Sequence, residues 1–496
     1  MNWKKAAALG VGAGAIGYLG ARRVVRGRSD RDTIGTGASG RETTDRQEYL
    51  RRSATLAQAG AKAGGTFALH RARRVFADAE RREELDRRFE MQTAEQITET
   101  LGNMKGAMMK LGQMVSYLDA GLPPHVREAF AQLQSDAPPM SGELAAGVVE
   151  SELGARPEVL FAEWDPTPIA SASIGQVHRA MTHDGVAVAV KVQYPGIDKA
   201  IRSDLQHAHL LFSGMGSLFP GLEPGPVVDE LKARIIEELD YEREARNQQA
   251  FVDEYRGHPT IVIPEVVHDL SSARVLTTEL ADGVKFDTML GWSDEARNRA
   301  AETIFRFVFR SLYRNRTFNG DPHPGNYLFR EDGSVVVLDF GLVKHFTEDE
   351  IGVFSRMIQA FVLDEDPTAF RAIIEEIGLL ADSDRFSDDI VQGYFGHFYE
   401  WVQREGEATI TPEYASESIR RYFDANGPFG DIIKAANMPP SFVLIQRINL
   451  GLFALLADMG ATANWRQLSE EIWPFVDSPP ATPLGEDAAA WAAGRQ

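Results

Sequence analysis

The sequence predicts an α+β fold with two lobes. Three observations predict it: strand-like runs crowd into residues 156–285, helical runs dominate 286–475, and the motifs with chemical potential fall at the joints between them. A chain of 496 residues, 44% apolar and 25% charged, has enough apolar material for one large two-lobed domain or two to three ordinary ones.

Charge is unevenly spread along it. Residues 1–90 carry 19 Lys/Arg against 11 Asp/Glu, a net of +8, whereas the whole chain carries −20, which leaves −28 for residues 91–496. An acidic body repels nucleic-acid phosphates, which are held by basic surfaces that displace counterions, so no nucleic-acid partner is expected. The absence of cysteine excludes disulfides, thiolate nucleophiles and zinc–sulfur centres, and with them a disulfide-stapled secreted fold.

Residues 1–28 read as a short membrane anchor. Positions 6–20 are uncharged and lie between Lys4–Lys5 and Arg22–Arg23. Fifteen helical residues reach about 22 Å against a hydrocarbon core of roughly 30 Å, so a crossing needs Lys5, Arg22 and Arg23 to snorkel. Gly10 and Gly14 form a GxxxG pair suited to close helix packing. An interfacial segment and a cleaved signal peptide are the competing readings. Residues 29–90 read as a Gly/Ser/Thr/Arg-rich linker and an amphipathic helix. The expected location is membrane-associated, with the catalytic domain cytoplasmic.

Residues 91–155 read as a helical extension. Thr93-x-x-Gln96 is a capping box that opens a helix through the Met-rich stretch 104–118, and Ser141 caps a second helix running to Leu153. In the strand-rich region, residues 174–181, a turn at His183–Asp184–Gly185 and residues 186–192 make a β-hairpin. Residues 226–255 read as one long charged helix with Pro226 in its first turn. Residues 261–268 and 274–280 are strand-like. From Trp292 the chain is mostly helical, with a strand–turn–strand at 327–338. Residues 441–460 are apolar, but Arg447, Asn449 and Asp458 favour a buried helix over a second membrane span. Residues 476–496, rich in Ala, Pro and Gly, read as a disordered tail.

The chemistry concentrates in two motifs. Asp321-Pro-His-Pro-Gly-Asn326 follows a helix expected to end near Phe318, and residues 335–338 then deliver Asp339-Phe340-Gly341. In phosphoryl transfer one carboxylate orients or deprotonates the acceptor hydroxyl, while an Asn and a second carboxylate hold Mg²⁺ against the phosphates. Protein kinases place these groups as D-x-x-x-x-N followed by D-F-G. Alone, each motif is also an ordinary Pro/Gly or strand-end turn. In order, with Asn326 and Asp339 13 positions apart, they point to phosphate chemistry. His323 reads as a structural loop histidine that could reach a phosphate.

Upstream, strand alternation puts Ala187, Ala189 and Lys191 on one face and Val186, Val188, Val190 and Val192 on the other. A lysine beside small residues suits an α/β-phosphate contact with a flat ring alongside. Such a lysine needs a carboxylate partner, and Glu237, Glu238, Asp240 and Glu244 are available. Positions 237, 240 and 244 would share one face of a continuous helix. The segment Ala170-Ser-Ala-Ser-Ile-Gly-Gln176 stands where kinases carry a glycine-rich loop, with Gly175 as its one glycine, so nucleotide handling should differ from theirs.

These residues together resemble the UbiB-like atypical kinase family. The likeness rests on Lys110-Leu-Gly-Gln113, Ser173-Ile-Gly-Gln-Val-His178, Lys191 in VAVKVQYPG, Glu238-Leu-Asp240, DPHPGN and DFG, and it covers roughly residues 90–460. It implies a two-lobed protein-kinase-like fold with an N-terminal helical extension carrying KxGQ, and ATP and Mg²⁺ as cofactors. It further implies that Lys110 and Gln113 cover the active site, faced by Glu238 and Asp240. Glu244 would partner Lys191, Asp321 would be the catalytic-loop aspartate, and Asn326 and Asp339 would be metal ligands. The implied nucleotide-binding set is Ala170, Ser171, Ala172, Ser173, Ala189, Lys191, Glu279 and Ala281. Helical spacing by itself prefers Glu237 to Glu238.

Two departures from ordinary protein kinases are legible. After DFG the capping box Thr347-x-x-Glu350 leaves no room for a long activation segment, and no A-P-E comes after it. The 53 residues from Lys191 to Glu244 imply a helical insert near 198–216. The expected function is an atypical kinase or ATPase supporting prenylquinone (ubiquinone-like) or membrane-lipid metabolism. Its expected partners are a lipid or prenylquinone-related small molecule, a membrane surface and proteins of a biosynthetic complex. The alternatives are a small-molecule phosphotransferase of the aminoglycoside or choline kinase type, whose catalytic loop residues 319–326 echo, and a nucleotide-binding scaffold without turnover.

Overall fold

The computed structural model describes residues 140–198 without Ser173, then 201, 236–320, 322–380, 383–423, 427–437 and 440–495. The expected anchor, linker and KxGQ helix with Lys110 and Gln113, together with Ser173, Asp321 and nearly all of the insert, lie outside the described residues.

The first half contains α1 (Gly142–Leu153), β1 (Glu163–Ala172), β2 (Gly175–Met181), β3 (Ala187–Gln193), α2 (Tyr241–Tyr255), β4 (Ile261–Val262) and β5 (Val275–Glu279). The order β1-β2-β3-β5 makes an antiparallel sheet. Ser141 caps α1 by accepting from Leu144 N, and Gly154, at φ 82°, ends it in the left-handed region that glycine enters without a Cβ clash. Ala145, Val148 and Val149 of α1 pack on Val188, Val190, Val192 and Val275 of the sheet. Each valine removed from water there contributes about 1.5–3 kcal/mol. Arg274 ties the same helix to β5 through Glu152 at 2.6 Å.

Three local expectations change here. β1 was not among the expected strands, because Pro166 and Pro168 read as breakers; it is an edge strand, where a missing N–H is tolerated, and its register shifts around Pro168. The long helix expected at 226–255 is interrupted: among the described residues 236–237 are helical, 238–240 break the run, and α2 starts afresh at Tyr241. Asp240 is extended (φ −112°, ψ 95°) and caps α2 from Arg243 N, while Tyr241 N donates to Ala273 O at 3.1 Å. Positions 237, 240 and 244 therefore share no helical face. The strand expected at 261–268 shrinks to β4, which runs parallel to a strand of the second half, and Pro264, without an N–H, ends the run.

The second half is built on α3 (Asp294–Asn315), capped by Ser293 and buried along most of its length. It is followed by β6 (Thr317–Asn319), β7 (Tyr327–Phe329), β8 (Val335–Val337), β9 (Val343–His345) and α4 (Glu348–Ile358). Helices at Pro367–Glu376, Asp388–Phe395 and Pro412–Phe423 lead to α5 (Pro440–Asp458), α6 (Trp465–Ile472) and α7 (Pro483–Ala493). The helix expected to reach Phe318 stops at Asn315, where Arg316 turns left-handed (φ 54°), and β6 instead pairs with β9. β7 and β8 form the expected hairpin, with β4 beside β8.

α5 is a core helix: Phe442, Leu450, Leu452, Phe453 and Leu456 are buried. No helix among the described residues is long and apolar enough to cross a membrane. The disordered tail expected at 476–496 is corrected by α7. Thr482 caps it from Gly485 N, Pro483 opens it, its alanines favour helix, and Trp491 gives it an apolar anchor.

Candidate active site

Lys191 owes its position to the alternation of β3. Val188, Val190 and Val192 are fully buried under α1, which turns Lys191 to the opposite face. Its Nζ donates to Glu244 Oε1 at 2.7 Å and Oε2 at 2.9 Å, and lies 3.6 Å from Asp339 Oδ2. The Tyr241 ring stands 4.9 Å from the ammonium. Burial pulls the Lys191 pKa down, but the carboxylates of Glu244 and Asp339 outweigh it, so the ammonium titrates well above its ordinary value. For Glu244 burial is the largest influence and pushes the carboxyl up, to about 7, against the pull of Lys191. With the lysine firmly cationic and 2.7 Å away, an ion pair at neutral pH is the state the geometry supports.

The turn before α2 sorts the acidic residues. Glu237 pairs with Arg243 at 2.8 Å, and one carboxylate oxygen of Asp240 caps α2. Glu238 lies on the site side: a Cβ built on Gly341 would touch its Cγ, Glu244 Oε2 and Asp339 Oδ1 at 3.8, 3.6 and 3.3 Å. Glu238, which the family resemblance indicated, is therefore nearer the site than Glu237, which helical spacing preferred.

Asp339 is held from both sides. Its Oδ1 accepts from Gly341 N at 2.9 Å, and its carbonyl accepts from Asn319 Nδ2 at 2.6 Å. The next residue, Phe340, is fully buried 5.0 Å from Phe251 of α2, and its carbonyl accepts from Asn247 Nδ2 at 3.0 Å. α2 thus grips both Lys191 and the DFG turn. Leu338 N donates to Asn326 O, so the β7–β8 hairpin brings Asn326 beside the chain at Asp339. His323 caps the 3₁₀ turn Pro324–Asn326, its Nδ1 accepting from Gly325 N at 3.0 Å.

In the expected nucleotide-binding set, Ala170, Ser171 and Ala172 pair with Val177, Gln176 and Gly175 at the tight end of the β1–β2 hairpin. A Cβ on Gly175 would overlap the Val192 carbonyl, which is why this turn keeps its glycine. Ala189 lies two residues before Lys191 on the same strand face, paired with Thr278. Glu279 ends β5, exposed, and Ala281 lies two residues on, in the connection that leads to the Val284–Phe329 bridge with β7. Lys191, Glu244, Glu238 and Asp339 are brought together; Glu279 and Ala281 sit at the link between the halves.

Several residues around this site escaped the sequence reading. Tyr241, Asn247 and Asn319 act through contacts across the fold. Gln176 is fully buried, donates to Met140 O and accepts from Met140 N, and meets His178 Nε2 at 2.9 Å. His178 Nδ1 donates in turn to Asp165 O. The S-I-G-Q-V-H run was the available signal for Gln176 and His178, and Asn319 stood next to the D-P-H-P-G-N loop.

Carboxylate and amide oxygens suit a hard cation. Among the described residues no group of three His, Asp or Glu side chains could hold a metal alone, whereas Mg²⁺ needs only one or two carboxylates when phosphates supply the rest. Asn326 and Asp339 fit that requirement. An aromatic-lined void of about 50 Å³ within the helical half, bordered by Phe309, Phe398 and Trp473, shares no residue with this site.

A strand lysine paired to a helical glutamate, facing a DFG aspartate across two halves of a chain, defines a protein-kinase-like architecture. Residues 132–372 match the ABC1 atypical kinase-like domain. The chain is 34% identical over 269 residues to atypical kinase COQ8B, mitochondrial, of Rattus norvegicus (54% of this chain, 51% of the relative). It is 34% identical over 262 residues to the probable protein kinase UbiB of Marinobacter nauticus (51% and 48%). It also resembles the structure of an Rv3197–erythromycin complex from Mycobacterium tuberculosis, with a TM-score of 0.58 and 29% identity over 79% of this chain and 98% of that one. The chain is thus similar to the UbiB-like atypical kinases, carries an ABC1 atypical kinase-like domain at residues 132–372, and has a two-lobed α+β fold. It spans about half the length of these two curated relatives.

Proposed function

We propose that this chain is an ATP- and Mg²⁺-dependent atypical kinase or ATPase that acts on a lipid or prenylquinone-related small molecule at a membrane surface, in prenylquinone or membrane-lipid metabolism. The observation that carries the reading is Lys191 bonded to Glu244 and facing Asp339. Lys191, steered by Glu244, would contact the α/β-phosphates, with Ala170–Ala172, Ala189, Glu279 and Ala281 around the rest of the nucleotide. Asn326 and Asp339 would hold Mg²⁺, which neutralises charge developing on the phosphates when bound. Asp321 would orient the acceptor hydroxyl, and Lys110 and Gln113, with Glu238 and Asp240, would cover the site.

The brevity of the segment after the DFG turn supports a non-protein acceptor. Only Leu342–Phe346 separate Gly341 from the Thr347 cap of α4, and β9 within them is paired to β6. No peptide platform can form from so short a segment. The membrane surface rests on the apolar 6–20 stretch and its flanking cations.

The test is Mg²⁺-ATP hydrolysis by the full chain, with and without anionic lipid vesicles and a prenylated phenol. Stimulation by either supports the proposal. Phosphate transfer to choline or an aminoglycoside would replace it with a small-molecule phosphotransferase, and nucleotide binding without turnover with a scaffold. A chain that binds no Mg²⁺-ATP would sink all three.

A further inference from the structure

The helix that carries Glu244 is finished by the far end of the chain. The last-turn carbonyls of a helix lack intrahelical donors and carry the negative end of its dipole, yet the last turn of α2 contains no basic residue. Trp491 Nε1 donates to Arg256 O at 3.0 Å. Arg495 Nη1 donates to the same oxygen at 3.1 Å, and its Nη2 to Asp253 O at 2.9 Å. The guanidinium of Arg256 itself is turned to the carboxylates of Asp253 and Glu265, so the cation that bonds these carbonyls comes from 239 positions away.

The residues that do this are themselves secured. The Arg495 guanidinium lies 5.0 Å from the Trp491 ring centroid, and Arg310 of α3 lies 5.1 Å from it. The indole stacks parallel to Tyr255, the last residue of α2, at 6.3 Å. At the other end of α7, Thr482 donates to Glu302 and accepts from Arg306 on α3.

We propose that α7 is a positioning element for the nucleotide site, with Trp491 and Arg495 holding α2 along its axis so that Glu244 stays opposite Lys191. α2 is a 15-residue rod whose first turns carry Glu244 and Asn247, the partners of Lys191 and of the Phe340 carbonyl. A helix moves as a unit, so slack at Arg256 reaches both contacts. The proposal rests on the reading of Lys191 and Glu244 as nucleotide machinery, and its test separates the two.

Arg495 is exposed, so its truncation leaves the core intact. In the full chain, Arg495→Ala is expected to weaken Mg²⁺-ATP affinity about three- to tenfold, the scale of lost helix-end interactions. The unfolding midpoint should barely move, and Arg495→Lys should recover most of the affinity. In a Glu244→Gln background the same substitution should add less than half of that effect, because the residue it acts through is gone. Without nucleotide, amides of 241–248 should exchange faster in Arg495→Ala while those of β2 and β3 stay unchanged. Unchanged exchange in α2, or the full loss of affinity in both backgrounds, would overturn the proposal. A parent chain that binds no Mg²⁺-ATP would refute the nucleotide-site reading, and exchange at 241–248 would still decide whether α7 positions α2.

Discussion

Arg306, Glu302 and Glu471 keep only 6%, 10% and 7% of their side chains exposed, whereas Lys191 and Asp339 keep 18% and 31%. Each cluster sets one cation against two carboxylates, so charge count does not distinguish them. Saturation does. Arg306 donates to Glu302 at 2.8 Å, to Glu471 at 2.7 Å and to Thr482 at 3.1 Å, while Thr482 Oγ1 and Ala481 N donate back to the two glutamates. That cluster is closed, and it joins α3, α6 and the start of α7. At the other, Asp339 approaches Lys191 only to 3.6 Å and remains partly exposed. Burial of ions marks a joint in one place and, where access is kept, a candidate for chemistry in the other.

The largest expected effect tests the closed cluster. Arg306→Ala strands two buried carboxylates and should cost about 3–5 kcal/mol of stability, read from a denaturation midpoint. Asp339→Asn should do the reverse, cutting Mg²⁺-dependent turnover about a hundredfold or more while moving stability by no more than about 1 kcal/mol. If Arg306→Ala left the midpoint unmoved, or Asp339→Asn kept normal turnover, the contrast between the clusters would be broken.

Acid should strike the closed side. His258 is buried, its Nδ1 accepts from Thr260 N and Ile261 N, and burial with Arg310 and Arg306 nearby depresses its pKa to about 3. The unfolded chain takes up the proton near 6.5, the folded chain only near 3, so this contribution is complete above 6.5 and is lost as pH falls between those values. By about pH 5 the loss should be on the order of 2 kcal/mol, and His258→Asn should flatten it in denaturation series across that range. An unaltered pH slope in the variant would remove His258 from the account. The smallest effect belongs to the open side: Ala172→Gly should change Mg²⁺-ATP affinity by about two- to fivefold, the scale of one added backbone freedom, and titration of the two chains would show it.

Much of the site was legible because its signals are local. Alternation along β3 places Lys191 opposite three buried valines, Ser141 and Thr347 cap the helices they were expected to cap, and the DFG turn comes one residue after a strand. The acidic residues were harder. Reading 226–255 as one helix favoured Glu237, and a single contact between residues 32 positions apart, Tyr241 N to Ala273 O, accompanies the break that turns Glu238 toward Gly341 instead. The tail failed for the same kind of reason: composition describes a segment alone, while α7 exists against Tyr255, Arg306 and Arg310.

What the sequence determined by itself was the set of elements and motifs governed by periodicity of 2 or 3.6 residues and by capping within a turn, and with them the kinase-like order of Lys191, Asn326 and Asp339. Tertiary structure alone decided that Asn247 and Asn319 grip the DFG turn and that the C-terminal helix completes α2. Those choices depend on hydrogen bonds and ring contacts between segments from tens to more than two hundred positions apart, whose partners no local pattern names.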